Sequence, residues 1–234
     1  MAPEQRRAAD GDVATTFLLA EHERLRALFL STCESADRRV TLFLTLTTTI
    51  VGVSVALSQL GLQTLQLLEL ALASALGIFL LGVTTFNRLL ERSMQSTEYL
   101  RAINRIHHYF IERAPEIEPY LFWAPYDDTP HYDTRGVGGA ETREVILLIN
   151  CISCAASAGL VLLVLNVNGI GWAIVAAAVA FVISFVGHSA YERWTLWREE
   201  KHKVALVRYP MPREERVSPS GGDATARQQL TTNE

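Results

Sequence analysis

What this sequence lacks, over long stretches, is charge. Residues 145–191 contain no Asp, Glu, Lys or Arg across 47 positions, residues 40–68 none across 29, and residues 70–87 none across 18. Runs this long and apolar exclude an ordinary soluble enzyme and a nucleic-acid binder, because a membrane span needs about 20 mostly apolar residues. Cysteine is also scarce, with three in 234 residues, which excludes a disulfide scaffold. No short apolar stretch precedes a small-residue cleavage site, so no cleavable signal peptide is expected and the first span serves as the insertion signal. Lysine is nearly missing, two against 19 arginines, a bias that fits a GC-rich bacterial genome.

What is present divides into four spans. Val40 to Leu60, Leu67 to Phe86, Val145 to Leu165 and Ile170 to Ala190 are each close to the length that crosses a hydrocarbon core. Backbone polar groups in lipid must be satisfied within their own segment, so these spans are helices. Gly61 to Gln66 forms one uncharged connector. Asn166-Val-Asn-Gly169 forms the other, a turn signal because Asn and Gly tolerate positive φ. The expected fold is therefore all-α, with two transmembrane hairpins. All 21 basic residues lie on one side of that arrangement, and neither connector carries any. The positive-inside rule then puts both termini and the central segment in the cytoplasm, favouring a multi-pass protein of the bacterial inner membrane. Trp172 marks the outer interface, and Tyr191, Trp194 and Trp197 the inner one.

Outside the spans (40–87 and 143–190), the chain divides by composition. Residues 1–15 are polar and expected to be disordered. Residues 16–39 carry Leu18, His22, Leu25, Phe29, Thr32 and Ala36 at spacings of three or four, one apolar stripe that reaches Val40. No Gly or Pro separates this stripe from the first span. Residues 88–142 begin with a helix, since no Gly or Pro occurs from Asn87 to Arg113; it projects about 40 Å beyond the membrane. Pro115, Pro119, Pro125 and Pro130 then forbid a long helix. Tyr120, Phe122, Trp123, Tyr126 and Tyr132 nonetheless point to an ordered loop packed on the extensions, leaving through Gly136 to Gly139. Residues 191–209 continue the fourth helix to near Pro210, and 210–234 form a polar tail expected to be disordered.

Each candidate site has a plainer reading beside it. Glu69 is the one formal charge inside the spans; an intramembrane carboxylate suggests proton or cation handling, but its place near the outer connector favours an interfacial role. Thr41, Thr45, Thr48, Gly52 and Gln59 on one face, with Thr47, Ser54 and Ser58 on another, would suit a hydrated path or, more simply, helix packing. Ala71/Ala75, Ala73/Gly77 and the series Ala176, Ala180, Ser184, His188 are small-residue faces that allow close helix approach. Cys151 and Cys154 make a CxxC, but two thiols inside a span lack half of the ligands zinc needs and read as packing; Cys33 stands alone. Asp127, Asp128, His131 and Asp133 gather cation ligands without a metal-loop spacing, so an acidic turn is expected. His107 and His108 are adjacent on a helix and diverge by about 100°, a poor metal pair. Gly136 to Gly139 has no Lys-Ser/Thr after it and is no phosphate loop. No catalytic, cofactor or metal residues are assigned.

The leading expectation is a non-enzymatic oligomeric scaffold, interaction or sensor protein. It sits in the lipid bilayer, self-associates through small-residue faces and cytoplasmic helices, and offers its cytoplasmic module to a protein partner. The alternative is an oligomeric channel or pore-forming effector gated from the cytoplasm. A third class, an enzyme acting on lipid near the inner interface, could call only on His188 and the Asp127–Asp133 loop.

Overall fold

The computed structural model describes residues 3–121, 125–133, 140–167 and 169–212, with side chains from Val13 onward except at 140 and 141. Phe122, Trp123, Gly136 to Gly139 and most of the polar tail lie outside them. Four long helices account for nearly all of the described chain, and no strand occurs among these residues. They are α1 (Pro3–Ser58), α2 (Thr64–Arg113), α3 (Ala140–Val164) and α4 (Gly169–Lys203). All four contain windows long and apolar enough to cross a membrane, which fits a multi-pass membrane protein.

The bounds follow from local chemistry. α1 starts at Pro3, so the disorder expected over residues 1–15 gives way to helix. Proline suits a first helical turn, and Glu4 to Ala9 are strong helix formers. No residue breaks α1 where its polar half meets its apolar half, and it continues through 56 residues. Gly61 turns the chain with φ 73°, and the Gln66 side chain accepts from the Gln63 backbone N–H at 3.1 Å, starting α2 earlier than the apolar run alone suggests. α2 stops at Arg113 because Pro115 follows, and a short 3-10 helix, Pro115–Tyr120, replaces it. Positive φ at Asn166 (51°) and Gly169 (75°) closes the α3–α4 hairpin. α4 ends at Lys203, short of the expected Pro210, with Lys201, His202 and Lys203 in its last turn, where cations complement the helix dipole. Beyond it a 3-10 turn, Val204–Leu206, leads into extended chain that is held in place to Met211, as described below.

The interior lies where α2 and α3 meet. Of α3's most apolar window 39% is buried, against 11% for α1 and 6% for α4, so α1 and α4 flank an α2–α3 centre. The main apolar cluster joins Ala36, Val40 and Phe43 of α1 to Phe86 and Leu89 of α2 and Ile146 of α3. The stripe of α1 is the face used: Thr32, Ala36 and Val40 are buried, and Leu18, His22, Leu25 and Phe29 are half-buried. Close approach depends on small residues. A methyl at Gly159 would meet the Ala173 carbonyl oxygen at 3.1 Å and Ala177 Cβ at 3.4 Å, which brings α3 against α4. Ala75 and Ser184 are buried as the small-residue faces suggest, whereas Gly77 faces open space.

Candidate functional site

At the polar end of the bundle, α2 grips the loop through residues spaced i, i+3, i+4, the spacing of one helix face. Arg101 Nη2 donates to both oxygens of Glu200 at 2.8 Å, and its Nε to the Pro130 carbonyl at 3.0 Å. The guanidinium also lies over the Tyr132 ring, 4.5 Å from its centroid. Asn104 Nδ2 donates to the Tyr126 and Thr129 carbonyls. Arg105 Nε donates to Asp127 Oδ2 at 2.9 Å.

Asp127 is the centre of this clasp. Its side chain is fully enclosed and also accepts the backbone N–H groups of Arg208 and Tyr209, at 2.9 and 2.8 Å. Asp128 Oδ1 accepts the Met211 N–H at 2.9 Å. The acidic segment is thus a fastener for the chain beyond α4. Asp133 stays exposed, and no group of three or more His, Cys, Asp or Glu able to hold a metal occurs among the described residues. Burial alone would raise the Asp127 pKa, but the two amides and the Arg105 guanidinium outweigh it and hold the carboxyl below the ordinary carboxylate range. Burial, reinforced by Glu98, pushes the Tyr132 hydroxyl well above its usual value, so the phenol stays protonated. Lys203 is raised by its hydrogen bond to Glu98, at 2.9 Å.

His107 and His108 diverge as their adjacency requires. The His107 ring lies 5.4 Å from His22 of α1, and the His108 ring stacks on Tyr209 at 3.9 Å. Burial, then His22, lowers the His107 pKa. Burial raises that of the Cys33 thiol.

Within the apolar half, the remaining candidates separate. Glu69 is exposed in the second turn of α2, away from any interior site. Most of the α1 hydroxyls bond their own backbone: Thr41, Thr45, Thr48 and Ser54 each donate to the carbonyl four residues back. Ser54 also meets Ser74 of α2 at 2.8 Å, in the wall of a largely apolar crevice of about 530 Å³ between α1, α2 and α3. Cys151 is buried among apolar neighbours and Cys154 is half-buried. His188 Nδ1 lies 2.9 Å from the Ser184 carbonyl oxygen, and its ring meets Phe86 edge-on at 5.3 Å.

Two features escaped the sequence reading. Asn150 is fully buried with neither amide atom partnered among the described residues, and it fills the notch that the missing side chain of Gly82 leaves in α2. Arg143, in the first turn of α3, is 8% exposed at its side chain and pairs with Glu192 of α4 at 2.6 Å. Its Nε and Nη1 have no partner among the described residues. Arg143 stands in the wall of a cavity of about 860 Å³ bounded by α3, α4 and the loop. Flanking a charge-free run, Arg143, Glu144 and Glu192 could have been singled out as boundary charges; that two of them pair could not.

Comparisons with family models, with curated proteins and with solved structures find no match to this chain.

Proposed function

We propose that the chain is a non-enzymatic, self-associating scaffold or sensor of the bacterial inner membrane, with both termini and the helical extensions in the cytoplasm. The orientation rests on the one-sided distribution of its 21 basic residues. The observation that carries the self-association is the outer face of α1. In the polar, charge-bearing half of that helix, Val13, Phe17, Leu19 and Leu30 are 50–70% exposed. Large apolar side chains displayed along a water-exposed helix mark an interaction surface. The opposite face of the same helix is already used against α2. Self-association covers the exposed face with a second copy. Native mass spectrometry of the full chain in mild detergent tests this: an oligomer is expected, reduced by Phe17→Asp with Leu30→Asp. A strictly monomeric particle at all concentrations would overturn it.

One observation favours a second reading, an oligomeric channel gated from the cytoplasm. Thr41, Thr45 and Thr48 are exposed on α1 at the level of the span, a hydroxyl face available to line an axis between copies. Ion flux through liposomes carrying the full chain separates the two, since sealed vesicles under all conditions leave the scaffold.

A further inference from the structure

The charges of α4 are sorted by face. Glu192 is taken by Arg143 at 2.6 Å, Glu200 by Arg101 at 2.8 Å and Glu199 by Lys203 at 3.6 Å. With the buried Leu196, these acids mark the side of the helix turned to its neighbours. Trp194, Trp197, Arg198 and Lys201, spaced three and four apart, form the other side. Arg198 and Lys201 are exposed and make no ion pair among the described residues. Instead, the Arg198 guanidinium lies 5.4 Å from the centroid of the Trp194 ring, and Lys201 Nζ lies 3.7 Å from that of Trp197. An indole attracts a cation without neutralising it, so two positive charges remain uncancelled one turn apart. Like charges at that spacing repel, and an anion between them removes the repulsion.

The position of this face along the helix says which anion. Toward the span it continues through Ile183, Val186 and Tyr191, all exposed, and at Tyr191 the 47-residue charge-free run ends. The two cations follow within about 15 Å of Tyr191. Helical side chains lean toward the helix N-terminus, which for α4 is the membrane side. Both cations accordingly reach back over indoles four residues earlier. Aliphatic, aromatic and cationic groups thus succeed one another in the order in which a phospholipid presents its acyl chains, glycerol and phosphate. At the same level, α1 sets Arg38 against Glu34 at 3.7 Å, and α2 sets Arg88 against Glu91 at 2.9 Å. Those cations already have their counter-charges.

We propose that the outward face of α4 binds a phospholipid of net negative charge. Its phosphate sits between Arg198 and Lys201, and its glycerol lies against Trp194 and Trp197. One copy carries the whole face, so the proposal rests on the chain lying in a bilayer and not on its self-association.

The test uses the full chain with Trp123→Phe and Trp172→Phe, which leaves Trp194 and Trp197 as the reporting indoles. It is reconstituted in phosphocholine vesicles, and indole fluorescence is quenched by phosphoglycerol lipid brominated in its acyl chains or, separately, by brominated phosphocholine lipid. Phosphoglycerol lipid is expected to associate about tenfold or more tightly, since each cation at an anionic surface contributes roughly fivefold. Arg198→Gln with Lys201→Gln, both on the exposed face, is expected to bring the two lipids close to parity. Arg38→Gln, at the same level on α1, is expected to leave the preference unchanged. Native mass spectrometry of the unaltered chain, released from bilayers holding both lipids, reads the same preference without any substitution. Equal association of the two lipids, a preference that survives the double substitution, or an equal fall in Arg38→Gln would each overturn the proposal. Indoles that neither lipid quenches would overturn the membrane reading beneath it as well.

Discussion

Removing the Asp127 carboxylate should free the segment beyond α4 while leaving the four helices assembled. In Asp127→Ala the backbone N–H groups of Arg208 and Tyr209 lose their enclosed acceptor. An enclosed donor left bare costs about 1–3 kcal/mol, so the two together cost about 2–6 kcal/mol. The Arg105 ion pair adds little, since that side chain is 48% exposed and solvent takes over its role. The loss is local, because Arg208 and Tyr209 lie beyond α4 and Tyr209 meets α2 near its outer end, where its ring stacks on His108. Even the lower figure corresponds to roughly thirtyfold faster opening, at 1.4 kcal/mol per tenfold. Hydrogen exchange followed by mass spectrometry reads this on the peptide covering residues 204–212. The expected result is rapid exchange there and unchanged exchange in α2 and α3. Unaltered protection at Arg208 and Tyr209 would refute the reasoning. Acid gives a second handle. A carboxyl whose folded-state pKa is depressed stabilises the fold above its unfolded value, and that contribution is lost as pH falls through the folded one. The clasp should therefore hold at pH 5 and open only below the ordinary carboxylate range.

Three further outcomes follow from the packing. Gly82→Ala should lower stability by about 1–3 kcal/mol, a drop of roughly 2–10 °C in melting temperature, because its methyl takes the place of the Asn150 amide; Asn150→Ala in the same chain should recover most of it. Arg101→Met should cost about 3 kcal/mol in denaturant titration, with Arg101→Lys recovering less than half, since an ammonium cannot span Glu200 and the Pro130 carbonyl together. His107, whose pKa is lowered in the fold, stabilises the pairing of α1 and α2 above the usual histidine value near 6.5 and loses that effect as pH falls. Spin labels on the two extensions should separate between pH 7.5 and 5.5, and His107→Phe should abolish the change.

The periodic part of this architecture is readable from sequence because periodicity is local. The stripe from Leu18 to Val40 is the buried face of α1, and the Pro-free, Gly-free segment from Asn87 to Arg113 is helix to its last residue. Adjacent His107 and His108 had to diverge, and they do. The clasp was legible only as a cluster of acids. Its partners, Arg105, Arg208 and Tyr209, lie 22 to 82 residues away, and no spacing rule reaches that far. Asn150 and Gly82 were passed over for the same reason, since a notch becomes visible only when two helices are laid together. The early start of α1 at Pro3 was missed because polar composition was read as disorder, although its residues favour helix.

Because α2 crosses from the apolar half to the polar end without a break, it acts as a lever. Its 50 residues make a rod about 75 Å long, of which the stretch from Arg88 to Arg113 measures about 39 Å. A tilt of about 5° within the bilayer would swing the far end by roughly 3 Å, a displacement as large as a hydrogen bond is long. The clasp residues Arg101, Asn104 and Arg105 ride on that outer arm. A change in the slope of α2 is thereby geared to the contacts that hold the loop closed.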